Sequence, residues 1–399
     1  MKKFFLIPIL QLVSIALYSN CRINELERQV QQIRIVTPNE TCGANTALAR
    51  PILDVECGRC GSNFFVEASV LYWYPKVAGT EFASGFLVVN EIESENALSE
   101  RFASMKKDCI TSIDFRWNWG FKVGLGYNFS HDGWNIFLEY TRFTARGRQS
   151  TCAAAENEYI IPYKAIPLTQ FQNHEAMQLI SKKSNSNFCI TLDSLELQLG
   201  RSFYISEYLA LYPKIGLKAF WITLKQRTRY TSANIIQAVL NYVSTPFDYT
   251  IKDCNRFAGV GPHFGLGTEW HFCGAFYFYG DICGSLAYGL FDVHHTDKAI
   301  SNNEGDGNPF TEGVTKIKNR LCEKRHVFVP VIGTQLGLGY SSYCGCDESM
   351  HITLRLGFDA QYIWRINQIL ETRITHYNYE RISEDMSIHG VTFDIRFNF

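Results

Sequence analysis

The sequence predicts an all-β protein: a transmembrane antiparallel β-barrel of the bacterial outer membrane, with about 12–16 strands. Three observations carry this. The chain begins with an export signal, and a two-residue periodicity with large aromatics on one face recurs over most of its 399 residues. No later run is apolar enough for a membrane helix. Hydrophobic residues make up 46%, near the average for a soluble protein, yet there are 29 Phe, 21 Tyr and 29 Gly. Strands that alternate lipid-facing and polar positions have that mixture.

Lys2 and Lys3 precede an apolar run from Phe4 to Tyr18, the layout of a secretory signal peptide. Pro8 and Gln11 interrupt the run, which falls short of the roughly 20 residues a spanning helix needs. Residues 1–20 are therefore expected to be a cleaved signal. Cys21 follows YSN, a poor match to a lipidation box. Ile23, Leu26, Val30 and Ile33 then repeat at coiled-coil spacing. Residues 21–36 are expected to form a short periplasmic helix, too brief to be a stable coiled coil alone, that reads equally as an oligomerisation element or as a single solvated amphipathic helix. Residues 37–62, with Pro38, Gly43, Pro51, Gly58 and Gly61, read as a cysteine-containing linker, and residues 63–399 as the barrel.

Alternation begins at Phe64. Phe64, Val66, Ala68, Val70, Tyr72 and Tyr74 share one face, with Glu67 and Ser69 on the other, as a period of two requires of a strand. In DFRWNWGFKVGLGYNF the face of Phe115, Trp117, Trp119, Phe121, Val123, Leu125, Tyr127 and Phe129 opposes one of Arg116, Asn118, Lys122, Asn128 and three glycines. The pattern returns at 134–140, 195–203, 211–221, 257–272, 276–290, 326–340, 352–364 and 391–399, which makes ten segments. Each is near the nine to eleven residues a tilted strand needs to cross a bilayer. Weaker stretches at 85–90, 160–165, 234–243 and 372–379 raise the count to the range above. A soluble β-sandwich also alternates, but its wet faces would not be so dominated by Gly, Lys, Arg and Glu. The polar stretches Arg146 to Asn187 and Asp292 to Lys324 read as long external loops, and SHDG at 130–133 as a short periplasmic turn.

The function classes narrow accordingly. The formal net charge is −1, and no zinc-finger or helix-turn-helix pattern is present, so nucleic acid is not an expected partner. The Gly-Leu-Gly repeats at Gly124, Gly265 and Gly337 open no helix and so fail the condition for a dinucleotide loop. No HExxH, GxSxG or paired nucleophile and base stands out. The reading is a non-enzyme with no catalytic residue, metal or cofactor.

Charged residues on the inward parity are the candidate lining of a pore: Arg116, Lys122, Lys214, Lys218, Glu269, Arg355, Asp359, Asp394 and Arg396, with Glu67, Glu139 and Glu196 beside them. Rings of such charge set selectivity in pores. There are 13 cysteines. In an oxidising envelope they are expected to form disulfides, the candidates being Cys42, Cys57, Cys60, Cys344 and Cys346, with the first three able to bridge subunits.

Four segments carry a family resemblance: LERQVQQI after the signal, SVLYWYPKVAGTEFA at 69–83, FRWNWGFKVGLGYNFSHDGW at 115–134, and the closing FDIRFNF. The chain resembles the major outer membrane proteins of Legionella and the related porin-like proteins of chlamydia-like bacteria. The resemblance implies an abundant pore and envelope component, often disulfide-linked, possessing no catalytic residue. It also implies that Phe399 ends a signal read by the outer-membrane assembly machinery, and that the protein is a homo-oligomer, as porins of this kind are often trimers, in contact with outer-membrane lipid. The function expected is passive diffusion of ions and small solutes together with an envelope-structural role. The alternative is a structural or adhesive surface protein with a narrow or plugged barrel.

Overall fold

The computed structural model describes residues 63–87, 105–129, 133–153, 158–162, 177–206, 208–237, 242–243, 247–273, 275–303, 313–344, 350–373 and 378–399. The expected signal, heptad helix and linker lie outside these residues. The strands in order are β1 (Phe64–Val77), β2 (Ala83–Leu87), β3 (Met105–Thr111), β4 (Asn118–Asn128), β5 (Trp134–Cys152), β6 (Glu158–Pro162), β7 (Met177–Arg201), β8 (Phe203–Tyr204), β9 (Leu209–Gln237), β10 (Tyr242–Val243), β11 (Phe247–Cys273), β12 (Phe276–Asn303), β13 (Gly313–Cys344), β14 (Met350–Arg373) and β15 (Asn378–Asn398).

All belong to one antiparallel sheet of 15 strands, and among the described residues ten of these form a closed ring. Its order is β1-β4-β5-β7-β9-β11-β12-β13-β14-β15 and back to β1. These ten are the ten strongly alternating segments of the sequence. Closure joins the two ends of the barrel: Val66 faces Phe397, Val70 faces Phe393 and Tyr72 faces Val391. The Phe399 N–H donates to the Phe64 carbonyl at 3.1 Å. A ring leaves no unpaired strand edge, which lipid would not tolerate.

The outer wall matches the sequence reading of faces except at Phe115, which was assigned outward with Trp117 but is buried in the interior against Phe188, because it precedes β4. Val70, Trp119, Leu125, Leu217, Phe264 and Leu356 are all exposed, the last at 55%, because in the membrane their solvent is lipid. The strands, however, greatly outrun a bilayer. β9 has 29 residues and β13 has 32, where about ten suffice. The stretches expected as loops, 146–187 and 292–324, are largely strand: β5 continues to Cys152, β7 begins at Met177, β12 reaches Asn303 and β13 begins at Gly313. Hydrogen-bonded pairing persists there while the hydrophobic alternation inverts, because the outer face turns polar once it leaves the lipid and the apolar side chains move to the inner face.

The connection after β1 folds into the barrel. The turn is made at Gly79, with φ of +74°, where a Cβ would come within 2.6 Å of Ile369 and 2.8 Å of Glu384. Asn367 on β14 donates its Nδ2–H to the Ala78 carbonyl at 2.8 Å. Gln226 on β9 donates its Nε2–H to the Thr80 carbonyl at 3.2 Å, and the Tyr230 hydroxyl of the same strand donates to the Phe82 carbonyl. β9 and β14 stand four steps apart around the ring of ten, nearly opposite, so residues 78–82 form a strap across the bore.

Candidate functional site

The interior has two levels. At the short-turn end lies a cavity of about 670 Å³, lined from every ring strand and, on all of them but β13, by charged or aromatic side chains. It starts at Trp134, Tyr208, His351 and Asn398 near the turns and ends at Lys122, Lys218, Asp359 and Cys283. Inward glycines make room for its larger side chains. A Cβ on Gly200 would meet the Tyr212 hydroxyl at 2.2 Å, and one on Gly357 would meet that of Tyr279 at 2.2 Å.

Charges in the cavity are paired across the sheet. Lys214 Nζ meets Asp281 Oδ2 at 2.6 Å, Lys218 Nζ meets Glu196 Oε1 at 2.6 Å, and Arg396 meets Glu67 at 2.7 Å. Arg355 reaches Glu269, three strands away, at 2.7 Å and the Tyr277 hydroxyl at 3.0 Å. Lys122 lies 3.5 Å from Asp359 and 4.0 Å from Glu139. Such pairing compensates desolvation on each side, since a buried charge that loses its partner costs several kcal/mol. Some polar capacity stays open: His263 is 1% exposed, yet neither ring nitrogen has a hydrogen-bond partner, and the same holds for the Tyr279 hydroxyl and Asp359 Oδ1.

Above the cavity the inward face becomes apolar. Leu71, Trp73, Phe143, Phe220, Phe257, Phe291, Val329, Ile363 and Met386 belong to one continuous cluster, drawn from every ring strand except β4 and capped by Phe82 and Ala83 of the strap region. A water-filled bore would leave its lining wet, but these nine side chains are at most 2% exposed, and no buried member of the cluster exceeds 6%. Phe257 stacks between Phe220 and Phe291 with ring centroids 5.0 and 4.7 Å away. The two levels meet at Trp73, whose indole N–H donates to Thr392 at 3.1 Å while Lys122 lies 5.5 Å from its ring.

Of the residues singled out in the sequence, Lys122, Lys214, Lys218, Glu269, Arg355, Asp359 and Arg396 line the cavity. Asp394 faces inward but is buried, accepting from Gln335 at 3.3 Å, and does not border the cavity. Arg116 is a correction: it is exposed ahead of β4. The backbone pairs there only through an isolated bridge, Phe115 to Gly147, among the described residues, so parity counted back from the strand does not carry Arg116 inward. Cys42, Cys57, Cys60 and Cys346 lie outside the described residues, and of Cys344 only the strand position is described. Sequence reasoning also missed a cluster on the outer wall, where His294 Nδ1 sits 3.1 Å from Cys322 Sγ and His294 Nε2 lies 3.2 Å from Asp292. Its members come from adjacent strands, so no local motif announces it.

Residues 59–399 match the family model of the Legionella pneumophila major outer membrane protein precursor. No curated relative matches the chain. Among solved structures it is similar to the outer membrane protease OmpT from Escherichia coli, at 8% identity over 84% of this chain and 97% of that one, with a TM-score of 0.35. It is similar to OprG from Pseudomonas aeruginosa at 7% identity over 85% and 98%, TM-score 0.23. A Pseudomonas aeruginosa FadL homologue follows at 7% identity over 84% and 90%, TM-score 0.27.

Proposed function

We propose, from the premise that this chain belongs to the Legionella pneumophila major outer membrane protein family and resides in the bacterial outer membrane, that it is an envelope-structural surface barrel whose bore is shut. The observation that supports this reading is the dry apolar layer beneath the strap, where Trp73, Phe143 and Phe220 are at most 1% exposed. Dewetted constrictions of this kind block ions even where a gap of molecular size remains. Self-association through the heptad at 21–36 and bridging by Cys42, Cys57 and Cys60 belong to the same proposal.

A second reading, passive diffusion through a gated pore, is favoured by one feature: a polar, charge-paired cavity leads from the short-turn mouth up to the layer. Solutes would pass only with the strap withdrawn. Planar-bilayer recordings separate the two. A shut barrel gives no steady conductance, whereas stepwise ohmic conductance from the wild-type protein would overturn the structural reading in favour of the pore. In a conducting protein, Lys214→Glu with Lys218→Glu should shift the reversal potential toward cations.

A further inference from the structure

The outer wall above the lipid-facing band is basic over a wide panel. The band's last apolar row runs through Trp221, Ala258 and Leu290 on β9, β11 and β12. Four residues higher begin three successive outward rows on six adjacent strands, β5, β7, β9, β11, β12 and β13. The middle row reads Arg148, Asn187, Arg227, Lys252, Thr296 and Arg320. Lys225 lies in the row below it, and Arg229, Lys298 and Lys318 in the row above. None of the three rows contains an acidic residue. Asp248, just above, pairs with Arg229. At strand and residue spacings of about 4.8 and 3.3 Å the panel measures roughly 24 by 13 Å.

Like charges so crowded repel one another, and beyond the Arg229–Asp248 pair a counter-anion relieves the repulsion. Height identifies which. The lowest row stands four residues above Trp221, about 13 Å along a tilted strand. That is head-group depth for a lipid whose acyl chains pack on the apolar wall directly below. The long connections lie at this end of the barrel and both chain ends of the ring at the other, so the panel is on the external side. Arginine and lysine together suit phosphate, arginine by bidentate hydrogen bonds and lysine as a point charge.

We propose that this panel binds the phosphates of a phosphorylated glycolipid anchored in the outer leaflet, so that one lipid spans the apolar wall and the basic rows. A soluble polyanion would gain nothing from the apolar wall beneath. The test uses the purified full-length protein in phosphatidylcholine nanodiscs doped with bis-phosphorylated lipid A or with its dephosphorylated form. Lipid retained through a detergent wash is measured by mass spectrometry. The wild type should retain the phosphorylated form selectively, and less of it as salt rises. Arg227→Gln with Lys252→Gln and Arg320→Gln should weaken retention roughly 100-fold, while its heat-modifiable gel migration stays that of a folded barrel. Equal retention of both lipid forms, undiminished binding by the folded triple variant, or displacement of the lipid by heparin at equal phosphate and sulfate would each overturn the proposal.

Discussion

Below Trp221, strand β9 turns Ile215 and Leu217 to the lipid and Lys214 and Lys218 to the cavity. Above it, the same strand turns Lys225, Arg227 and Arg229 outward and Ile222 and Leu224 inward. The parity of the strand never changes, but the chemistry on each parity is exchanged. β12 does the same, with Ile282 and Leu286 exposed below and Phe291 and Val293 buried above. The difference teaches what governs a tall barrel. Where lipid surrounds the wall, the outside must be apolar, and the inside is held by paired charges. Where water surrounds it, the outside can be charged, and the inside becomes an ordinary hydrophobic core driven by burial.

The largest effect should come from breaking the upper core. Trp73 is fully buried, packs 5.5 Å from the Phe143 ring and holds the junction of the two levels. Trp73→Ala should cost about 3–5 kcal/mol of unfolding free energy, read from denaturant midpoints of the refolded barrel. A cost within about 1 kcal/mol, far under that of buried aromatic truncations, would mean the upper interior is not a packed core.

Exchanging the outer faces is the next test. Leu356→Arg places a guanidinium on the lipid side and should destabilise the barrel by about 2–4 kcal/mol near the midplane. The converse, Arg227→Leu, puts an apolar side chain on a wall that faces head groups and water, and should leave folding within about 0.5 kcal/mol of the wild type. Assembly into the outer membrane, followed by heat-modifiable migration, reports both. If the two variants assemble equally well, the boundary between lipid and water does not lie at Trp221.

The lower half was legible in the sequence because lipid enforces an uninterrupted contrast between faces. Each of the ten segments with strong alternation is a ring strand, and the described parts of the weaker stretches fall in strand ends or in short strands off the ring, such as Gly85 in β2 and Ile160 in β6. The upper half was not legible. At Arg142 to Arg148 the outward residues are Arg, Thr, Arg and Arg and the inward ones Phe143, Ala145 and Gly147, a pattern with the opposite sense, which reads as a loop when apolar is assumed to mean outward. Parity placed Lys122, Lys214, Lys218 and Arg355 on the inward face. Their partners were beyond reach, because Arg355 meets Glu269 across three strands and that depends on the order and stagger of the whole ring. The strap was hidden for the same reason: Gly79 and Thr80 have no local signature for crossing a bore.

A further effect is confined to the upper level and depends on pH. His295, on the inward face of β12 above the lipid band, is 1% exposed. Its Nδ1 meets Asp253 of β11, and its Nε2 lies 2.9 Å from Asp297. Burial opposes charge on this imidazole, but the hydrogen bonds and negative charge of the two carboxylates outweigh it and lift the pKa from 6.5 to about 10. Asp297 shifts upward because it is buried, an effect only partly offset by His295. A histidine raised in the folded state lends its stability fully below its unfolded value and loses it as pH climbs through the folded one. The contribution should thus be complete below about 6.5 and gone above about 10. Between these limits, hydrogen exchange in the upper parts of β11 and β12 should accelerate while the lipid-facing parts stay protected. His295→Gln should flatten the response, since the remaining amide does not titrate and the two carboxylates are left without a cation at every pH. If the variant and the wild type quicken equally with rising pH, the upper level does not depend on this histidine.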